Sequence, residues 1–186
     1  PRCFTALCTS FIWMNMTRTS APRLRRARTP SEIAATRELF TEYSKGLGVD
    51  LCFQNFSAEL AALPGEYAPP HGDLLLARVK GRIAGCIALR RLSNEDAEMK
   101  RLYVRDDFRG TGCGLALTFE VIRRAHRLGY RRLLLDTLPN MKKAQELYES
   151  LGFVDIGPYR PNPVPGARFM ALNLKDFRKA RSGRAR

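Results

Sequence analysis

Between an apolar run that ends at Val104 and an amphipathic stretch that starts at Gly114, the chain reads Arg105-Asp106-Asp107-Phe108-Arg109-Gly110-Thr111-Gly112-Cys113-Gly114. Three glycines at alternate positions let the backbone turn tightly and present N–H groups with no Cβ in the way. A helix starting there adds its own unpaired N–H groups and the positive end of its dipole. Arg109 adds a fixed positive charge beside them. Together these make a socket for a phosphate or pyrophosphate; the plainer alternative is an ordinary glycine-rich turn. No Lys follows the glycines, so a P-loop is excluded. A dinucleotide fingerprint counted from Gly110 needs glycine at 115, where Leu115 stands. Asp136, at a strand end, does lie at a distance suited to a ribose contact. Five residues separate Val104 from Gly110, however, which is long for the tight strand-to-glycine turn of that fold. A dinucleotide site is the second reading of this loop.

Two segments together resemble a known family. Arg109-x-x-Gly112-x-Gly114 looks like the acyl-CoA pyrophosphate motif of the GCN5-related N-acetyltransferases. Leu147-Tyr148-Glu149-Ser150-Leu151-Gly152-Phe153 is similar to their second signature, a helix that carries Tyr and ends in Gly-Phe. The resemblance covers roughly residues 22–174. It implies acetyl-CoA as acetyl donor and a primary amine as acceptor, joined by direct attack in a ternary complex. It assigns cofactor binding to Arg109, Gly110, Thr111, Gly112, Cys113, Gly114 and Leu115. The backbone of Leu102, Tyr103 and Val104 is expected to meet the pantetheine amides and the thioester carbonyl. Many members carry Asn three residues before the Ala of the second helix; here Ala144 fits, but Met141 holds that place and Asn140 precedes it. Asn140 either substitutes as a cofactor contact or caps the helix.

Acetyl transfer from a thioester to an amine poses three problems. The amine must lose its proton, the carbonyl oxygen must be stabilised, and the thiolate must be protonated as it leaves. A carboxylate can take the first proton, a backbone N–H can hold the oxygen, and a phenol can donate the last proton. By resemblance Glu98 is the candidate base and Tyr148 the candidate acid. The alternative for Glu98 is an exposed carboxylate at the start of its strand, paired with Lys100 on the same face. For Tyr148 it is a core residue beside Leu147 and Leu151. Cys113 has no base beside it in sequence, which counts against a nucleophile; His126 and His71 read as solvated and loop residues. A non-catalytic CoA-binding module is the remaining alternative to an enzyme.

The acceptor pocket is expected, again by resemblance, between the first two helices and the last strands. That includes residues 47–67 and the proline-stiffened loop from Tyr159 to Gly166. Arg160, Arg168, Phe53, Phe56, Tyr67 and Tyr159 suggest a small amine that also bears a carboxylate or an apolar part. A small-molecule amine is the expected acceptor, with a protein amine as the alternative. Neither membrane nor nucleic acid is an expected partner, and a homodimer is a candidate assembly.

These residues need elements to hold them, and the hydrophobic pattern supplies the elements. A short strand at 24–27 leads to Thr29-Pro30, a cap and first turn for a helix ending near Gly46. A second helix spans 56–63 and stops at Pro64-Gly65. Residues 73–79 and 82–89 form a hairpin about Lys80-Gly81, and a strand at 99–104 follows. A helix at 114–128 buries Leu115, Phe119, Ile122 and Ala125 and exposes Arg123, Arg124 and Arg127. Then come a strand at 132–137, a helix at 142–151, and strands near Phe153 and at 168–174. The order β-α-α-β-β-β-α-β-α-β-β is that of a single mixed α/β domain, a mostly antiparallel sheet flanked by helices.

The chain of 186 residues carries a net charge of +14, which looks like a nucleic-acid binder's until it is located. Residues 29–174 hold 20 basic and 17 acidic side chains, so the body is nearly neutral and the charge lies in the ends. Residues 1–21 read as a disordered or transit-like leader, 22–174 as the catalytic domain and 175–186 as a flexible basic tail. Five scattered cysteines, Cys3, Cys8, Cys52, Cys86 and Cys113, form no metal-ligand pattern. They suit a reducing compartment, and a cytoplasmic location is expected. No apolar run is long enough for a transmembrane helix.

Overall fold

The computed structural model describes residues 21–49 and 55–175. Nearly all of the leader, Cys52, Phe53 and the tail after 175 lie outside the described residues. Strand β1 (Arg23–Arg26) enters helix α1 (Pro30–Leu47) through a capping box: the Thr29 hydroxyl accepts from the Glu32 N–H, and the Glu32 carboxylate accepts from the Thr29 N–H. The box satisfies two donors that a bare helix start would leave open. Gly48, left-handed at φ 69°, closes α1 two residues beyond the expected Gly46. Helix α2 (Phe56–Ala62) and a short 3-10 turn (Gly65–Tyr67) precede the hairpin of β2 (Asp73–Val79) and β3 (Arg82–Arg91). Lys80 and Gly81 both have positive φ, the backbone that matches a two-residue hairpin turn to strand twist.

The remaining elements are β4 (Asp96–Val104), a 3-10 turn (Asp106–Phe108), α3 (Cys113–Arg127), β5 (Arg132–Thr137), α4 (Lys142–Ser150), β6 (Val154–Ile156) and β7 (Arg168–Asn173). Their order is the one the periodicity predicts. Strand β4 starts at Asp96 rather than at 99. Its first residues alternate acidic and apolar, Ala97 and Met99 facing the core, and the acids mask a strand that is half of a buried ladder.

Seven strands form one sheet in the order β1-β2-β3-β4-β5-β7-β6. Every neighbouring pair is antiparallel except β4 and β5. Helices α3 and α4 cover one face, where Leu117, Val121, Ile122, Tyr148 and Phe153 pack on Ile87, Met99, Leu133, Leu135 and Met170. Helix α1 covers the opposite face, with Leu39 and Phe40 on Leu74, Leu76, Cys86 and Ala88. Burial of these large aliphatic and aromatic side chains supplies the driving force, at about 25 cal/mol per Å² of apolar area.

Two irregularities in β4 shape everything that follows. Strands β4 and β5 pair only over Asp96–Arg132, Ala97–Leu133 and Glu98–Leu134; beyond Glu98 they part, leaving a V between two backbone edges. On its other side, Lys100 pairs with Ala88 and Tyr103 with Cys86, so β4 carries one residue more than β3 between them. The bulge falls at Arg101, a non-glycine residue at φ 56°. Such a backbone costs on the order of 1–3 kcal/mol and persists only where contacts hold it. Here Arg101 is held by a bidentate pair to Glu59, Nε at 3.0 Å and Nη2 at 2.6 Å.

Candidate active site at the parting of two strands

The V opens into a cleft lined by Lys100, Arg101 and Leu102 of β4 and Asp136 and Thr137 of β5, with Tyr43, Met141 and Tyr148 from the helices and their flanks. Its volume is about 560 Å³ with the open solvent at its mouth included. Thr137 Oγ1 is buried with no hydrogen-bond partner among the described residues. A buried hydroxyl in that state costs free energy unless something bonds it, and it faces a cleft that can admit an amide or carbonyl.

Tyr148 sits in the core against Phe153, ring centroids 5.8 Å apart, and reaches the same cleft. Burial, followed by the nearby Tyr43 and Asp136, pushes its phenol well above the usual tyrosine range. The group therefore stays protonated at neutral pH and can donate. Leu102 and Val104 pack against the α3/α4 core, while Tyr103 turns to the other face and meets Tyr43 edge-on at 6.3 Å.

The glycine loop follows the end of β4. Gly110 and Gly112 stand at φ 78° and 82°, and a Cβ built on either would meet nothing within 4 Å. Gly112 is the N-cap of α3 and offers no side-chain bond to the helix N–H groups. Those donors lack a side-chain cap and follow a left-handed backbone with no protein atom over the Gly112 Cβ position, as an anion cradle requires. Arg109 is 63% exposed but pairs with Asp106 at 2.7 Å, so part of its charge is already answered. Thr111 turns its hydroxyl back to the Phe108 carbonyl at 2.6 Å, and the buried Cys113 thiol packs in the core. Both leave only backbone for a ligand. Leu115 is half exposed rather than on the buried stripe of α3. Asn140 is exposed and does not cap α4; Met141 holds the cap position, without a side-chain bond.

Glu98 departs from its simplest reading: it is neither exposed nor at the strand end, but 0% exposed in the third position of β4. Its carboxylate accepts from Arg90 Nε at 2.6 Å and from the Tyr159 hydroxyl at 2.7 Å. Arg160 Nε lies at 3.2 Å and Lys100 Nζ at 4.0 Å. Glu98 does not line the cleft; it stands behind the wall that Lys100 and Asp136 form. Arg160 joins the two, since its Nη2 also meets Asp136 at 2.5 Å, and Asn162 donates to the same carboxylate. Asp136 thus serves this network, and a mostly antiparallel sheet lacks the doubly wound parallel crossing of a dinucleotide site. That reading of the loop falls.

Lys100, Arg101, Tyr43 and Thr137 are cleft residues that sequence reasoning missed. The only sequence signal was the adjacent pair Lys100-Arg101 inside an apolar strand. Burial, reinforced by the charges of Arg101, Arg160 and Arg90, lowers the Lys100 ammonium to about 8 despite Glu98. Burial alone would raise Glu59, but the hydrogen bonds and charge of Arg101 prevail and hold it below the usual carboxylate range. Among the described residues, no group of three or more His, Cys, Asp or Glu side chains is placed to hold a metal ion. None of their helices is long and apolar enough to cross a membrane.

This geometry matches known proteins. Residues 34–153 fit the model of the Acetyltransferase (GNAT) family, and the chain belongs to that family. It is an acyltransferase. An uncharacterised N-acetyltransferase of Schizosaccharomyces pombe is 40% identical over 147 residues, 78% of this chain and 90% of the relative. An N-acetylaspartate synthetase of Danio rerio is 32% identical over 110 residues, 58% of this chain and 39% of the relative. In three dimensions the chain resembles a Salmonella typhimurium acetyltransferase whose structure contains its cofactor acetyl-CoA. The TM-score is 0.61 at 20% identity, with 83% of this chain and 95% of that one covered.

Proposed function

We propose that the protein transfers acetyl from acetyl-CoA to the primary amine of a small molecule, by direct attack within a ternary complex. The observation that carries this is the V between β4 and β5, with an uncapped helix start at one end and Tyr148 inside. The N–H groups of residues 110–115 would hold the pyrophosphate, with Arg109 beside them and Asn140 at the far rim. The free edge of Leu102, Tyr103 and Val104 would meet the pantetheine amides and the thioester carbonyl, and Thr137 Oγ1 supplies a further donor. When bound, acetyl-CoA brings an activated acyl carbon; the protein brings position and protons.

As the amine nitrogen bonds to that carbon and the C–S bond breaks, Tyr148 gives its proton to the departing sulfur. Glu98 is the buried carboxylate on the acceptor side. That carboxylate already accepts from Arg90 and the Tyr159 hydroxyl and faces Arg160 as an ion pair, and it does not line the cleft, so in this reading its main work is to hold Arg90, Arg160 and Tyr159. The ammonium form of the acceptor is disfavoured by the cations that surround it, and the amine reacts as it loses its proton to water. That one relative is an N-acetylaspartate synthetase supports a small acceptor over a protein one. We place the domain at residues 22–174 and the protein in the cytoplasm, in keeping with the buried free thiols of Cys86 and Cys113.

The test is release of CoA thiol by the full chain from acetyl-CoA across an amine library. Amine-dependent release supports the reading. Saturable acetyl-CoA binding with no release for any amine returns the non-catalytic module.

A further inference from the structure

Strand β4 changes frame in its middle. Ala97 and Met99 face the core beneath α3 and α4, and so do Leu102 and Val104. Unbroken alternation along a strand would put Arg101 on that apolar face and turn Leu102 and Val104 away from it. The extra residue at Arg101 prevents this: Lys100 and Arg101 follow one another on the α1 side, and the alternation resumes one place later. The bulge thus sets how the backbone of Leu102, Tyr103 and Val104 stands where β4 has parted from β5.

The Arg101 side chain is 2% exposed, and its charge is met from α2. Glu59 accepts both hydrogen bonds of the bidentate pair, and the same carboxylate accepts from the Tyr67 hydroxyl at 2.6 Å. Phe56, one turn earlier on α2, lies 5.0 Å from the guanidinium, and Tyr43 of α1 stands at 5.8 Å. Helix α2 has no fully buried residue of its own; Phe56 and Leu60 are partly buried against the α1 side of the sheet. A separate tie, from Arg37 Nε to the Leu60 carbonyl at 3.0 Å, docks α2 on α1 without reaching the bulge.

We propose that Glu59 is a positioning residue for acetyl-CoA: by holding the Arg101 guanidinium on the α1 side, it keeps β4 in its bulged frame and so presents the free backbone edge of Leu102, Tyr103 and Val104. The inference rests on the transferase reading above, in which that edge meets the pantetheine arm. Glu59 does not line the cleft and acts through Arg101. A non-glycine backbone at φ 56° persists only while its surroundings hold it. Released, the strand populates other frames, and acetyl-CoA must then bind the fraction that is still bulged, which weakens it in proportion.

The experiment measures acetyl-CoA dissociation constants on the full chain by calorimetry, with kcat and unfolding midpoints beside them. Glu59→Gln sets an NH2 group against the guanidinium in place of one carboxylate oxygen. It should weaken acetyl-CoA binding roughly tenfold or more, while kcat at saturating acetyl-CoA falls far less. Glu59→Asp, which keeps the charge on a shorter stem, should recover part of the loss. Arg37→Met loosens the same helix away from the bulge and should leave the affinity in place. Glycine adopts a positive φ without help, so in an Arg101→Gly background the bulge no longer needs its hook. Adding Glu59→Gln there should change acetyl-CoA affinity little. An equal Glu59→Gln effect in both backgrounds overturns the inference while the transferase reading stands. So does wild-type affinity in Glu59→Gln with a lower unfolding midpoint, or an equal loss in Arg37→Met. If Glu59→Gln alone does not fold, weaker acetyl-CoA binding by the double variant than by Arg101→Gly overturns it. A wild-type chain with no saturable acetyl-CoA binding overturns the transferase reading and takes this inference with it.

Discussion

Lys100 and Tyr148 line one cleft from opposite faces of the sheet. Lys100 belongs to the α1 side, among arginines and carboxylates; Tyr148 rises from the apolar core beneath α3 and α4. A molecule that lies between β4 and β5 can therefore touch both faces at once.

Removing the Tyr148 hydroxyl keeps the ring that packs on Phe153. Tyr148→Phe should lower kcat by ~10²-fold, a size usual for a positioned acid, while the acetyl-CoA dissociation constant stays nearly unchanged because the lost contact matters mainly in the transition state. Stopped-flow turnover beside calorimetric binding checks it. Wild-type turnover would remove Tyr148 from the chemistry and leave it as core.

At Gly112 the obstacle is backbone and space together. Valine there must adopt φ near 82°, at a cost of roughly 1–2 kcal/mol, yet its Cβ meets no protein atom. The domain should fold, and acetyl-CoA binding should be lost because the branched side chain stands over the helix donors. Arg109→Ala should weaken binding by no more than about fivefold, since that arginine is exposed and shared with Asp106. Equal affinity of Gly112→Val and wild type by titration calorimetry would rule out the socket.

Glu98→Gln tests how a buried carboxylate is employed. Arg90 and Arg160 would each lose one counter-charge, keeping Glu66 and Asp136, and breaking a buried pair from one side typically costs about 3–5 kcal/mol. A marked fall in the unfolding midpoint is expected, with reduced turnover. If Glu98 mainly holds its partners, the acid limb of the kcat/KM profile should persist in the variant, because the acceptor's own ionisation sets it. Disappearance of that limb with an unchanged midpoint would restore Glu98 as the base.

Lys100 makes stability rise with pH in a defined window. Its folded value, about 8, lies below the ordinary 10.5. Between these values the unfolded chain binds a proton that the folded chain does not, so folding gains stability as pH rises through the window. Below pH 8 both states are protonated and the full cost of burying the ammonium is present. Lys100→Met lacks that cost: it should be more stable than wild type at pH 7, with the advantage shrinking from pH 8 to 10.5. Paired thermal melts across that range give the answer, and a constant difference would refute it.

The elements were legible because apolar residues repeat with the period of the structure that buries them. Leu74, Leu76 and Ile87 lie in runs that mark strands, and Ile122 and Ala125 mark a helix whose buried stripe passes through Leu117 and Val121 instead of the expected Leu115. The glycine loop was legible because turns and helix starts have local chemistry. The surroundings of Glu98 were not, since its partners arrive from a neighbouring strand and from a loop some 60 residues on. The bulge at Arg101 carries no glycine or proline to announce it, so nothing local shows that two adjacent cations share a face. Asn140 misled for the reverse reason: a good capping residue sits one place too early to cap.

The short seam between β4 and β5 also has a mechanical consequence. Three residue pairs, backed by the double hydrogen bond from Arg132 to Asp96, join the strands β1 to β4 to the strands β5, β7 and β6 along the sheet. Load applied across the sheet concentrates on that joint, as it does at the root of a split in a plank. Pulled apart by its edges, the protein should yield first at Asp96–Arg132, and a ligand bridging the two lips of the split should raise the force required.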